Sequence, residues 1–169
     1  MKTTLLNAAL LLSVFISYAQ TDSIQSLEQE VPKNEIKVNG AYLIAGILEI
    51  SYERLLSDES SVGFSIGASI DSDIDYTFFL TPFYRFFFGK KRAAGFFVEA
   101  NSNLYAEELN DDPSDQALGL GVGLAIGGKF VTKGGWVAEI LAGAGRNFVN
   151  TNQIEEGYPR LGLSIGKRF

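Results

Sequence analysis

The chain has 169 residues, a formal net charge of −6, no cysteine and no histidine. That excludes disulfides, thiol catalysis, histidine-based acid–base or hydrolytic chemistry, and metal centres ligated by Cys or His. The acidic balance argues against non-specific nucleic-acid binding, which needs a basic surface, and 13 phenylalanines beside 4 prolines are not the composition of a disordered chain.

Residues 1–19 read as a cleaved signal peptide. Lys2 supplies the positive start, Leu5 to Ile16 is mostly apolar, and Ser17-Tyr18-Ala19 sets small residues before a cut at Gln20. The apolar run is shorter than the ~20 residues a spanning helix needs, and without cysteine there is no lipoprotein anchor. Residues 20–35, polar and acidic with Pro32, are expected to form a periplasmic tail. Residues 36–169 form the remaining domain.

From Ile36 onward the hydrophobic period is two, the signature of strands. In 61–70, Val62, Phe64, Ile66, Ala68 and Ile70 alternate with Ser61, Gly63, Ser65, Gly67 and Ser69. In 117–130, Leu118, Leu120, Val122, Leu124 and Ile126 alternate with glycines and Ala125. The last stretch, 157–169, sets Leu161, Leu163, Ile165 and Phe169 on one face, with Arg160, Gly162, Ser164, Gly166 and Arg168 on the other. Strands are expected near 36–44, 46–56, 60–70, 76–88, 93–105, 117–131, 135–148 and 158–169. The first hairpin turns near Leu43–Gly46. Short connections (56–59, 89–92, 132–135) alternate with longer or more polar ones (71–75, 107–116, 149–157), as in outer-membrane barrels. The expected fold is an all-β, eight-stranded antiparallel up-and-down transmembrane β-barrel.

Alternation alone does not say which face is outside. A lipocalin-like carrier turns its apolar face inward and a membrane barrel turns it outward. The apolar set is too large for an eight-stranded interior. Aromatics also gather near strand ends on that face: Tyr52, Phe88, Phe130 and Trp136 at the short turns, Tyr76 and Phe148 at the long loops. Arg54 shares this face but lies close enough to a turn to snorkel. Val122 is placed near the membrane midplane, where Val122→Arg should impair insertion. Phe79, Phe83 and Phe87 then point inward with Arg85, and Gly63, Gly67, Gly119 and Gly123 are expected to leave room for the rings. Pro82 cannot donate to a ladder, so a bulge is expected there.

The same parity points Glu49, Glu53, Arg85, Glu99, Glu139, Arg160 and Arg168 into the lumen. Isolated buried charges are costly, so these seven are expected to pair into an ion-pair network. The alternative, a proton or ion path, has to contend with a lumen too narrow for a water-filled pore.

Other constellations carry less. Asp71, Asp73 and Asp75 lack the Gly and Glu of an EF-hand at the required spacing. The acidic loop Glu107–Asp115 reads as solvated, with weak cation binding as its alternative. Gly119, Gly121 and Gly123 lie within a strand and form no dinucleotide fingerprint. Lys90, Lys91 and Arg92 make a basic periplasmic turn that reads as solvated, with contact to anionic lipid or peptidoglycan as its alternative. No cofactor or metal is implied.

The signal peptide, the eight-strand pattern and Phe169 together resemble the small outer-membrane β-barrels typified by OmpX and the transmembrane domain of OmpA. ISYERLL at 50–56, the SVGFSIG strand and TPFYRFFFG are also similar to a domain-of-unknown-function family of small outer-membrane barrels. The resemblance implies that Phe169 is an assembly signal read by the barrel-assembly machinery, although Lys167 departs from the usual apolar choice. The expected protein is a non-enzymatic monomer among outer-membrane lipid, with a structural or surface-interaction role. A lipocalin-like carrier of an apolar ligand is the alternative.

Overall fold

The computed structural model describes residues 32–71, 76–109 and 112–169. The expected signal peptide, the tail as far as residue 31, and Asp73, Asp75 and Asp111 of the acidic loops lie outside the described residues. Eight strands run in chain order: β1 (Asn34–Asn39), β2 (Ile47–Leu55), β3 (Ser60–Ser69), β4 (Tyr76–Phe88), β5 (Gly95–Leu109), β6 (Asp112–Val131), β7 (Trp136–Asn147) and β8 (Gly157–Arg168). Each pairs antiparallel with the next, and β1 pairs with β8 to close the barrel. Closure is continued by reciprocal backbone bonds between Asn34 and Phe169, at 2.9 and 2.8 Å.

Alternation and side-chain chemistry dictate which way each strand faces. Leu118, Leu120, Val122, Leu124 and Ile126 of β6 are exposed on the outside, as are Leu161, Leu163 and Ile165 of β8. The intervening positions hold mostly glycine, serine, aromatic rings or charge, and the charged ones are buried, Arg168 at the short-turn end only partly. A lipocalin-like carrier would show the opposite distribution, so that alternative is set aside. Phe88, Phe96, Phe130 and Trp136 ring the short-turn end on the outside, and Phe148 lies at the other end. On β7 roughly ten residues separate Trp136 from Arg146; in a strand tilted about 40° they rise about 25 Å, the height of a membrane apolar band.

Two expectations about the first hairpin are corrected. β1 begins at Asn34 rather than Ile36, because Leu55 N–H donates to the Lys33 carbonyl at 2.7 Å and draws these residues into the ladder. Residues 40–44 are not strand but a short helix, α1 (Gly40–Ile44). Asn39 accounts for it: its Oδ1 accepts from the Ala41 and Tyr42 amides at 3.2 and 3.4 Å, capping the helix and ending the strand. Gly46, at φ +82°, turns the chain from α1 into β2.

The bulge expected at Pro82 is also corrected. Register holds from Leu80↔Leu104 through Phe83↔Asn101, with no pairing from Thr81 or Pro82 to β5 between them. The missing N–H therefore interrupts the ladder without adding a residue, and the register shift falls instead between Tyr76 and Phe78. Pro82 still pairs with Phe64 on β3.

Inside, Leu55, Phe87, Ala93, Phe97, Ala125 and Leu141 form an apolar cluster at the short-turn end. Phe79, Tyr105, Ala117 and Ile154 form another at the helix end, with Tyr42 of α1 edge-on to Phe79 at 6.2 Å. Glycines make the room these rings need. A Cβ at Gly63 would lie 2.5 Å from the Phe83 ring, and one at Gly67 would overlap the Phe79 ring. Gly119 and Gly123, expected to serve the same phenylalanines, instead face Tyr105 and Asn101. Phe87 is accommodated beside Phe97, their centroids 5.4 Å apart.

Candidate functional site: the charged lumen

Between the two apolar clusters the barrel is filled with charge. Glu53 on β2 is fully buried and meets three cations: Lys129 at 2.6 Å, Arg85 at 2.7 Å and Lys37 in a short contact. Ser61 donates to its second oxygen at 2.6 Å. Glu139 on β7 faces the same three cations: Arg85 at 2.8 Å, Lys37 at 2.9 Å and Lys129 at 3.6 Å. Arg85 also reaches Glu99 at 2.7 Å, and its guanidinium lies 4.3 and 4.6 Å from the Phe83 and Phe97 ring centroids. The planar fork of arginine suits this bridging between carboxylates and aromatic faces.

The network continues towards both ends. Towards α1, Arg160 of β8 binds Glu49 at 2.8 Å and Glu99 at 3.1 Å, and Asn39 donates to Glu49 at 2.7 Å. Towards the short turns, Glu35 accepts from Lys129 at 2.8 Å and Arg168 at 2.6 Å. Arg168 also donates to the Arg92 and Ala93 carbonyls at 3.0 and 2.8 Å, tying the β4–β5 turn beneath the barrel. Ala93 is wholly buried there at φ +38°, held by its N–H to the Asp58 carbonyl.

The structure brings all seven sequence-derived lumen residues, Glu49, Glu53, Arg85, Glu99, Glu139, Arg160 and Arg168, into one connected network. It adds three that sequence reasoning missed. Glu35 is the last residue of the expected tail. Lys37 lies on the same face of β1 as Glu35, and Lys129 continues the inward series from Gly119 to Gly127. Lys37 lies within the expected first strand, Glu35 one residue before it, and Lys129 two residues beyond Gly127, so the same parity reaches all three. With them, Glu35, Glu49, Glu53, Glu99 and Glu139 face Lys37, Arg85, Lys129, Arg160 and Arg168, so the acids and bases balance. Arg54 and Lys167 stay outside as their parity demands. Arg54 bonds Asn34 at 3.2 Å, and Lys167 reaches the Gly134 carbonyl with its ammonium 5.3 Å from the Trp136 ring. Both long side chains thus lean to the short-turn rim.

A plug of this kind can stiffen and insulate. It offers no histidine, and every charge within it is already partnered. The molecule is thus a small closed barrel with an apolar outer band and an ion-paired interior, the architecture of a membrane β-barrel. Among solved structures, its fold matches the N-terminal β-barrel domain of Pseudomonas aeruginosa OprF, with a TM-score of 0.59 and 17% identity over 82% of this chain and 98% of that one. No family model matches the chain, and no curated protein matches it in sequence. The fold implied by the resemblance to OmpX and the OmpA transmembrane domain is the fold found.

Proposed function

We propose that this protein is a non-enzymatic, monomeric barrel of the bacterial outer membrane, with a structural or surface-interaction role. The observation that carries this reading is the inversion of the ordinary soluble pattern, with an apolar band outside and, inside, nine buried charges balanced by the partly buried Arg168. In this reading the short turns face the periplasm, while α1 and the β7–β8 loop face the cell exterior. Phe169 serves as the signal for the barrel-assembly machinery.

The test is gel mobility of the detergent-extracted membrane fraction, boiled against unboiled. A closed barrel with its backbone bonds satisfied resists detergent unfolding, so a heat-dependent shift in the membrane fraction is expected. Protein in the soluble fraction with no shift would overturn the reading. Deleting Phe169 should lower the heat-shifting species in membranes; normal levels would remove its signal role while leaving the barrel intact.

A further inference from the structure

Between the charged layer and the helix-end cluster lies a cavity of about 130 Å³. Tyr42, Ile47 and Phe79 supply apolar wall, and Thr81, Asn103 and Arg160 supply polar lining. Arg160 is already committed to Glu49, Glu99 and Ser65. Asn103 is not. It is only 8% exposed, and its Oδ1 accepts from Thr81 Oγ1 at 2.7 Å. Its Nδ2 has no acceptor among the described residues, and the side chain lines the cavity, which leaves this amide as the donor available there.

The cavity also meets the barrel wall. β1 stops at Asn39, opposite Ser164, so β8 from Gly157 to Leu163 has no strand neighbour on that side. Asn39 covers part of this edge. It accepts from Leu163 N–H at 3.2 Å and donates to the Leu161 carbonyl at 3.0 Å. The next position in that series is Pro159, which has no N–H to satisfy. Pro159 is exposed on the outer face and lines the cavity as well.

We propose that this cavity binds a small apolar group carrying one acceptor oxygen, such as a ketone or ester carbonyl, its hydrocarbon against Tyr42, Ile47 and Phe79 and its oxygen on Asn103 Nδ2. The volume is slightly below that of an engineered cavity of ~150 Å³ that takes up benzene, which sets the ligand at about that size. A free molecule arriving at the α1 end and a lipid ester reaching in past Pro159 share this chemistry. The site goes beyond the structural role proposed above and does not depend on a surface partner.

The test uses the refolded full chain in lipid nanodiscs, with cyclohexanone as probe and cyclohexane as its oxygen-free control. The side-chain amide resonance of Asn103 should shift saturably with cyclohexanone and not with cyclohexane. Asn103→Leu, read on Ile47 methyl resonances, should weaken cyclohexanone binding about tenfold. Ile47→Trp, which fills the cavity, should abolish it while the heat-dependent gel shift persists. A shift that never saturates, or equal binding by wild type, Asn103→Leu and Ile47→Trp, would mean partition into lipid or a cavity holding water only, and would overturn the proposal. Cross-relaxation from lipid ester α-methylenes to the Asn103 amide would identify the bilayer as the source. Its absence alongside saturable cyclohexanone binding would identify the aqueous route.

Discussion

Replacing Glu53 by Gln keeps the volume of the side chain and removes one charge from the balanced plug. Three cations then lose their shared carboxylate: Arg85 and Lys129 within 2.7 Å, and Lys37 in a contact at least as close. Glu139 faces the same three and cannot neutralise them alone. Glu53 is wholly buried and Lys129, Arg85 and Lys37 almost so, so water is not at hand to take over. Breaking a buried pair by removing one partner costs about 3–5 kcal/mol, and the cost should fall there. The assay is urea unfolding of the barrel refolded into lipid vesicles, followed by tryptophan fluorescence and by the heat-dependent gel shift. The double variant Glu53→Gln with Lys129→Met restores neutrality and should recover much of the loss, giving a coupling well above additivity. Stability of Glu53→Gln within about 1 kcal/mol of wild type would refute the idea that this carboxylate neutralises its neighbours.

Two further outcomes follow from the register. Alternation places Val122 near the midplane, but β6 sets it opposite Arg146, close to the outer rim, whereas Ile126 pairs with Val98 and Ala142. Ile126→Arg should cost about 2–4 kcal/mol and Val122→Arg about 0–1 kcal/mol in the same vesicle assay; equal costs would contradict the placement of the band. At Gly67, the three atoms nearest an added Cβ all belong to the Phe79 ring. Gly67→Ala should destabilise by about 1–3 kcal/mol, and Phe79→Leu in the same chain should relieve the clash, read as recovery of the urea midpoint relative to Phe79→Leu alone.

Strand number and facing were legible because lipid outside and charge inside impose a strict two-residue period, so Glu49, Glu53, Glu99 and Glu139 could be placed by parity alone. Lys129 was hidden by the glycines that precede it, which supply no charge pattern to extend. Glu35 was hidden by its acidic neighbours, since nothing local separates the end of a polar tail from the start of a strand. The helix after β1 was illegible for another reason. Asn39 ends the strand through hydrogen bonds to its own following amides, and that choice over a hairpin depends on the long-range fit of α1 against β8. Pro82 misled because a missing donor leaves the ladder free either to bulge or to skip a bond, and pairing with β3 on its other side held the register.

β1 is the shortest strand, with 6 residues, yet it carries Glu35 and Lys37, whose partners lie on β2, β6, β7 and β8. Glu35 and Arg168 are 133 residues apart in sequence. Until these ends meet, Glu53, Lys129 and Glu139 lack part of their complement and remain better off in water. A curled but open sheet is therefore poorly suited to the bilayer interior, and it gains its lipid-compatible interior only when the first strand docks on the last. That couples the most non-local pairing among the described residues, the kind formed slowly, to the desolvation of the whole charged row. Closure and insertion become a single step, with β1 as its latch.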